Sequence, residues 1–219
     1  MRAVIFANGD FRQPSNPLAA LRADDYLIAA NGGTHHCMAL RLRPNVVIGD
    51  MDSISESVRE SLSREGTQFM VHPSDKDETD LELALRHAVS KGCEEILLLG
   101  ILGGRLDQTL ANLLVLTRPE WRPARLTAAD GPDFATLLRE GEEVKIEAQG
   151  GDTVSLIPLS PKVGGVTTQG LRWSLQDADM ELGSTLGISN ETSEEVARVR
   201  IEEGLLLVVE RRAVSSDKS

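Results

Sequence analysis

The sequence predicts an α/β fold followed by an all-β one: an N-terminal, mostly parallel αβα sandwich and a smaller C-terminal antiparallel β-sandwich. Three observations predict it. Short continuous apolar runs alternate with helical patterns through roughly the first 120 residues, the signature of a parallel sheet covered on both faces. Strong helical periodicity fades after Arg139. Beyond that point short strand-like runs follow one another between glycine turns, the spacing of a small antiparallel fold. The predicted domains are 1–138 and 139–219.

The elements follow in order. Buried strands are expected over 3–7, 26–30, 46–48, 68–71, 96–99 and 125–128. Helices are expected over 34–42, 55–65, 79–91 and 106–117. The third is the clearest, because Leu81, Ala84, Leu85 and Ala88 repeat at i, i+3, i+4 and i+7 and form one apolar stripe. In the second half, strands are expected over 144–148, 153–158, 166–168, 196–201 and 205–210. Gly150-Gly151, Gly164-Gly165 and Glu203-Gly204 mark the turns, Leu186-Gly187-Ile188-Ser189-Asn190-Glu191 reads equally as a plain turn or as a turn followed by two small hydrogen-bonding residues, and 215–219 reads as a loose tail.

Composition excludes several classes. In 219 residues, 23 basic side chains face 34 acidic ones, a formal net charge of −11. Polymeric nucleic acid and anionic membranes both require a positive footprint, so neither is a partner. A hydrophobic fraction of 41% suits a globular core rather than a disordered chain. Two cysteines, Cys37 and Cys93, form no disulfide framework and no CxxC site, which points to a reducing, cytoplasmic setting. The first apolar run stops at Asn8-Gly9-Asp10, unlike a secretory signal, and the longest run, near 96–102, is too short to span a bilayer.

The polar residues fall in a pattern. Nearly every strand of the first half ends in a glycine or polar cluster: Asn8-Gly9-Asp10, Asn31-Gly32-Gly33, Gly49-Asp50-Met51-Asp52-Ser53, Asp75-Lys76-Asp77-Glu78-Thr79-Asp80 and Gly103-Gly104-Arg105-Leu106-Asp107. Open parallel sheets bind ligands outside the carboxyl ends of their strands, so these clusters are expected on one functional edge. Asp50 and Asp52 suit a hard divalent cation such as Mg²⁺, which takes one or two carboxylates plus phosphate oxygens. Ser53 to Glu56 also reads as a capping box for the next helix. That explains Ser53 and Glu56 and leaves the two aspartates for other work. Asp77 reads as an N-cap with Glu78 in the first turn, and Asp80 as a further cation ligand. Gly103 and Gly104 allow a phosphate to approach the backbone before a helix start, with Arg105 able to clamp its oxygens. His35-His36-Cys37 lacks the spacing of a zinc site. After Arg139 the single aromatic is Trp173. It reads either as a half-buried core residue or as a platform for a flat or cationic ligand.

These segments, in this order and spacing, resemble the thiamine pyrophosphokinase (thiamine diphosphokinase) family. The resemblance runs through Ala30-Asn31-Gly32-Gly33, Gly49 to Ser53, Asp75 to Glu82, Gly100 and Gly103 to Asp107. It continues through Gly170-Leu171-Arg172-Trp173-Ser174-Leu175 and Gly187 to Glu191. It implies a nucleotide- and Mg²⁺-binding catalytic domain followed by a thiamine-binding β-sandwich, in a homodimer with sites at the subunit interface. It implies Mg²⁺-dependent transfer of the pyrophosphoryl group of ATP to the hydroxyl of thiamine, giving thiamine diphosphate and AMP. By motif match Asp50, Asp52 and Asp80 would hold Mg²⁺. Asn31, Gly32, Gly33, Gly103, Gly104, Arg105 and Asp107 would lie by ATP, and Trp173, Ser189 and Asn190 by thiamine. Either Asp77 or Asp80 would accept the hydroxyl proton. Two positions depart from the family pattern: Asn31, where the family often has Asp, and Gln108, where it often has His. Two other readings fit the same clusters. One is a different Mg²⁺-dependent enzyme on this scaffold, such as a pyrophosphokinase for a pterin alcohol or a nucleotide hydrolase. The other is a non-catalytic nucleotide or thiamine diphosphate sensor.

Overall fold

A computed structural model describes residues 1–11, 21–148 and 151–213. The tail at 215–219 and the first glycine of the Gly150-Gly151 turn lie outside the described residues. The chain divides into two compact units, Met1–Gly131 and Pro132–Ser219. Residues 132–138, grouped with the first domain by the sequence, therefore belong with the second unit. Among the described residues no helix is long and apolar enough to cross a membrane.

The first unit contains β1 (Arg2–Phe6), β2 (Tyr26–Ala30), α1 (Gly33–Ala39), β3 (Val46–Gly49), α2 (Glu56–Arg64), β4 (Gln68–Val71), α3 (Asp80–Ser90), β5 (Glu95–Leu99), α4 (Leu106–Val115) and β6 (Arg125–Asp130). Its strands run in the order β4-β3-β2-β1-β5-β6, and every pairing is parallel. Strands β1, β3 and β5 are buried almost throughout, because both faces of the sheet are covered. Helix α1 packs on β1 and β2, and α3 packs on β1, β2 and β3. The chain builds outward from β1 to β4 and then returns to add β5 on the other side of β1. The strand order reverses there, and such a reversal opens a crevice beyond the carboxyl ends of the two strands.

The second unit contains β7 (Asp133–Arg139), β8 (Glu143–Glu147), β9 (Thr153–Pro158), β10 (Lys162–Gln169), β11 (Ala178–Glu181), β12 (Gly187–Glu191), β13 (Val196–Arg200) and β14 (Leu205–Arg211). Two antiparallel layers, β12-β9-β14-β7 and β11-β10-β13-β8, enclose one core. That core is aliphatic, with Leu138, Ile146, Leu156, Val166, Val199 and Leu206 among its members. The predicted fold class is borne out: a parallel α/β sandwich followed by a smaller antiparallel β-sandwich.

Three local readings are corrected. Residues 187–191 form strand β12 rather than a turn; its pairing with β9 shifts register between Gly187 and Asn190, and this irregularity hides the two-residue period. Helix α2 starts after Ser55, with no side-chain cap: the Ser55 hydroxyl lies 3.1 Å from that of Ser57, and Ser53, two residues before the cap position, donates to the Asp52 carboxylate at 3.0 Å. The cap of α3 is Thr79, whose hydroxyl accepts from the Glu82 amide, and Asp77 lies outside the helix.

The glycine pair after β2 has a packing cause. A Cβ on Gly33 would lie 1.9 Å from the Phe6 carbonyl oxygen, and one on Gly32 would lie 2.2 Å from Asn8 Oδ1. Helix α1 thus starts hard against the end of β1. Gly92, by contrast, has φ +76° and open space around it. Gly33→Ala should cost about 3 kcal/mol or more, by forcing α1 off β1, against about 1 kcal/mol for Gly92→Ala, which meets only backbone strain. Urea unfolding of both variants checks this, and equal losses would contradict it.

Candidate active site

The end of β1 and the segment after β5 are laced together past the strands themselves. The Ala7 amide donates to the Leu99 carbonyl at 2.8 Å, and the Gly9 amide to the Gly100 carbonyl at 2.7 Å. A cleft of about 560 Å³ opens beside this junction. Asn8, Asp10, Asn31, Lys76, Asp80 and Arg105 are among the residues that line it, together with Gly103, Gly104, Gln108 and Asn112. It sits at the strand-order reversal, where the topology requires it. Gly103 and Gly104 have φ of +80° and +68°, and Asp10 packs against both. A side chain at Gly103 would collide with Asp10 Cβ at 2.8 Å.

Like charges must be managed before this edge can assemble. The Asn31 amide nitrogen donates to Asp50 Oδ1 at 2.8 Å and to Asp52 Oδ1 at 2.9 Å. Nitrogen must face the carboxylates, because the flipped amide would set oxygen against oxygen. The bonds from Asn31 and then Ser53 hold the Asp52 carboxyl below the usual carboxylate range. Lys76 Nζ lies 3.0 Å from Asp80 Oδ1. This ion pair is the partner of an otherwise unbonded buried oxygen. Arg105 grips Asp107 with Nε at 3.1 Å and Nη2 at 2.5 Å. This bond holds Asp107 below, and Arg105 above, their ordinary values.

The two histidines of α1 act as latches. His35 Nε2 lies 2.8 Å from the Ser53 carbonyl and His36 Nε2 lies 3.0 Å from the Gly9 carbonyl. A carbonyl only accepts, so both rings carry their proton on Nε2. Adjacent helical residues point in different directions, so each fixes a different strand-end loop. Cys37 between them is buried, which pushes its thiol up to about 12 and makes it a poor nucleophile.

The expected site residues therefore separate into groups. Asn31, Asp80, Gly103, Gly104 and Arg105 line the cleft, while Asp50 and Asp52 join it through Asn31. Asp77, Gly32, Gly33 and Asp107 do not line it. Among the described residues no three His, Cys, Asp or Glu side chains stand as a ready-made metal centre. The donor set is nevertheless a hard one. Asn31 Oδ1 is a buried oxygen without a hydrogen-bond donor, Asp80 Oδ1 has only the Lys76 ammonium beside it, and the two residues meet at Gly49, where a Cβ would lie 2.8 Å from Asn31 Cβ and 3.1 Å from Asp80 Oδ1. Oxygens of this kind fit Mg²⁺. Lys76, Asn8, Asp10, Gln108 and Asn112 also line the cleft; the first four fell within or beside the expected clusters without an assigned role, and Asn112 fell outside them. A lone lysine among four acids was the signal for Lys76.

In the second unit Trp173 is 54% exposed and does not belong to the aliphatic core. Arg172 stacks on its ring at 4.7 Å and pairs with Glu191 at 2.9 Å. Asn190 is buried and spends its amide on the backbone: it accepts from the Trp173 amide at 3.1 Å and donates to the Trp173 carbonyl at 2.7 Å. It holds the Trp173 segment in place. Ser189, with φ +59°, has an exposed side chain, and its amide donates to Ser155 Oγ at 3.0 Å.

Fold and cleft define a two-unit protein whose parallel sheet opens, at its strand-order reversal, on a cleft carrying both carboxylates and cations. Comparison with known proteins narrows this class. The family "Thiamin pyrophosphokinase, catalytic domain" matches residues 19–127, and "Thiamin pyrophosphokinase, vitamin B1 binding domain" matches 142–206. Thiamine pyrophosphokinase 1 of Oryza sativa subsp. japonica is 33% identical over 180 residues, covering 79% of this chain and 68% of that protein. Thiamine pyrophosphokinase of Bacillus subtilis (strain 168) is 29% identical over 182 residues, covering 83% and 85%. A crystal structure of thiamine pyrophosphokinase from Bacillus subtilis superposes with a TM-score of 0.86 at 26% identity, over 98% of this chain and 100% of that one. The chain belongs to the thiamine pyrophosphokinase family and is an enzyme.

Proposed function

We propose that this enzyme transfers the pyrophosphoryl group of ATP to the hydroxyl of thiamine, releasing AMP and thiamine diphosphate, in a Mg²⁺-dependent reaction in the cytoplasm. The observation that carries the reading is the cleft at the β1/β5 reversal, where Lys76 and Arg105 share a wall with Asn31 and Asp80. The two family matches, which span both units, add the acceptor. Free thiols at Cys37 and Cys93 suit a reducing compartment.

Phosphoryl transfer relies mainly on positioning and charge neutralisation. Lys76, Arg105 and the Gly103-Gly104 backbone bind the polyphosphate and aim its β-phosphorus at the acceptor. Bare carboxylates repel polyphosphate, so Asp50, Asp52, Asp80 and Asn31 would hold Mg²⁺, which would supply the positive charge that offsets the phosphates. Asp80, on the cleft wall, is better placed than exposed Asp77 to receive the hydroxyl proton. Trp173 offers thiamine a π face for its thiazolium cation, with Arg172 displaced from the ring on binding. Ser189 presents its hydroxyl to the aminopyrimidine edge, while Asn190 acts through the Trp173 backbone.

AMP release should require thiamine, ATP and Mg²⁺ together. ADP as product, or turnover without thiamine, would overturn the reading. In the same assay Asp80→Ala should lower kcat by about 10²-fold or more, and Trp173→Ala should raise the Michaelis constant for thiamine about tenfold. An unchanged constant would remove Trp173 from the site.

The enzyme acts as a homodimer, with its sites at the subunit interface. Helix α4 supports this: Leu106, Leu110 and Leu114 repeat at i, i+4 and i+8 and are 73%, 52% and 55% exposed, an apolar stripe that water disfavours. Light scattering should give twice the chain mass for the wild type and the monomer mass for Leu110→Glu. A monomeric wild type would overturn the dimer.

A further inference from the structure

Asn31 stands at the start of the loop after β2 in a left-handed conformation, with φ +43°, which Asn tolerates better than most residues. Its backbone is locked on both sides. The Asn31 amide donates to the Ile48 carbonyl at 2.8 Å, and its own carbonyl accepts from the Thr34 hydroxyl at 2.8 Å and the Thr34 amide at 3.0 Å. The side chain is only 8% exposed, so its direction is fixed. Both hydrogens of Nδ2 are spent, one on Asp50 and one on Asp52. Its Oδ1 has no donor, and its Cβ and the Asp80 carboxylate both stand against Gly49, 2.8 Å and 3.1 Å from where a Cβ would be.

This arrangement does what a bound cation would otherwise do. Two carboxylates drawn together repel, and a neutral donor that bonds to both offsets that repulsion. We propose that Asn31 is a positioning residue: its amide clamps Asp50 and Asp52 in ligand geometry before any metal arrives, so the site is pre-assembled but binds divalent cations more weakly than an all-carboxylate site would. The inference rests on the reading of Asp50, Asp52 and Asp80 as cation ligands. A carboxylate at position 31 adds a negative charge and removes both donors. It makes the empty site self-repelling and the loaded one tighter. An alanine removes the donors without adding charge, so the empty site loosens and the loaded one gains nothing.

Two measurements on the full chain test this, neither of which uses ATP or thiamine. One is thermal unfolding in EDTA, and the other is direct Mn²⁺ binding followed by the electron paramagnetic resonance signal of the free ion. Asn31→Asp should melt roughly 3 °C or more below wild type in EDTA and bind Mn²⁺ at least about fivefold more tightly. Asn31→Ala should also melt lower in EDTA, but bind Mn²⁺ more weakly than wild type. Wild-type melting of both variants in EDTA would overturn the clamp. Mn²⁺ binding by Asn31→Asp no tighter than wild type would overturn the account of affinity. If Asn31→Asp does not fold in EDTA, recovery on adding Mn²⁺ supports the proposal, and Asn31→Ala alone then decides the clamp. Absence of AMP release by the wild type would sink the proposed reaction while leaving these results standing.

Discussion

The hydrogen bonds from one buried amide to two carboxylates organise the functional edge of this molecule. Asp50 and Asp52 follow β3, Asn31 follows β2, and Asp80 opens α3, so acids from separate elements meet at neighbouring strand ends. A chain with net charge −11 can concentrate carboxylates there only if each has a partner. Asn31 serves Asp50 and Asp52, Lys76 serves Asp80, and Arg105 serves Asp107. The rest of the first unit holds these partners in position. Parallel strands end at one edge, His35 and His36 tie down the loops after β3 and β1, and the reversal between β1 and β5 leaves room for a ligand.

Much of the fold was legible because burial and periodicity coincide. Strands buried on both faces appear as unbroken apolar runs, such as 3–7 and 96–99, and α3 shows its stripe plainly. Legibility failed where the two signals part. Strand β7, with Ala135 to Arg139 buried, was absorbed into the domain boundary because it follows β6 after a tight turn at Gly131. Strand β12 exposes Ile188 and Ser189 and breaks register there, so it carries no clear alternation. Capping was misread at two helices for a related reason. Sequence pattern names the residues able to cap, and tertiary partners decide which of them do.

The site was legible as an edge and illegible as a geometry. Strand-end clusters and sheet topology together name the region, which is why Asn31, Asp80, Gly103, Gly104 and Arg105 fall on the cleft. Spacing along the chain does not reveal that Asn31 reaches Asp50 and Asp52, 19 and 21 residues away. Nor does it reveal that Lys76, amid acids, turns inward while Asp77 stays outside. In the second unit the shortage of aromatics was informative. The core is built from aliphatic side chains and Met180, without an aromatic, and the one tryptophan left over is exposed and held by Asn190.

An acidic enzyme can take a polyanionic substrate if a few carboxylates are organised to bring the cation with it, and that is the central claim here. The most direct measurement is anomalous diffraction from crystals grown with Mn²⁺ and a non-hydrolysable ATP analogue. The account predicts an anomalous peak at about 2.1–2.2 Å from carboxylate oxygens of Asp50, Asp52 or Asp80, with the polyphosphate against Lys76 and Arg105. Mn²⁺ bound away from all three aspartates, or a polyphosphate outside the β1/β5 cleft, would contradict it.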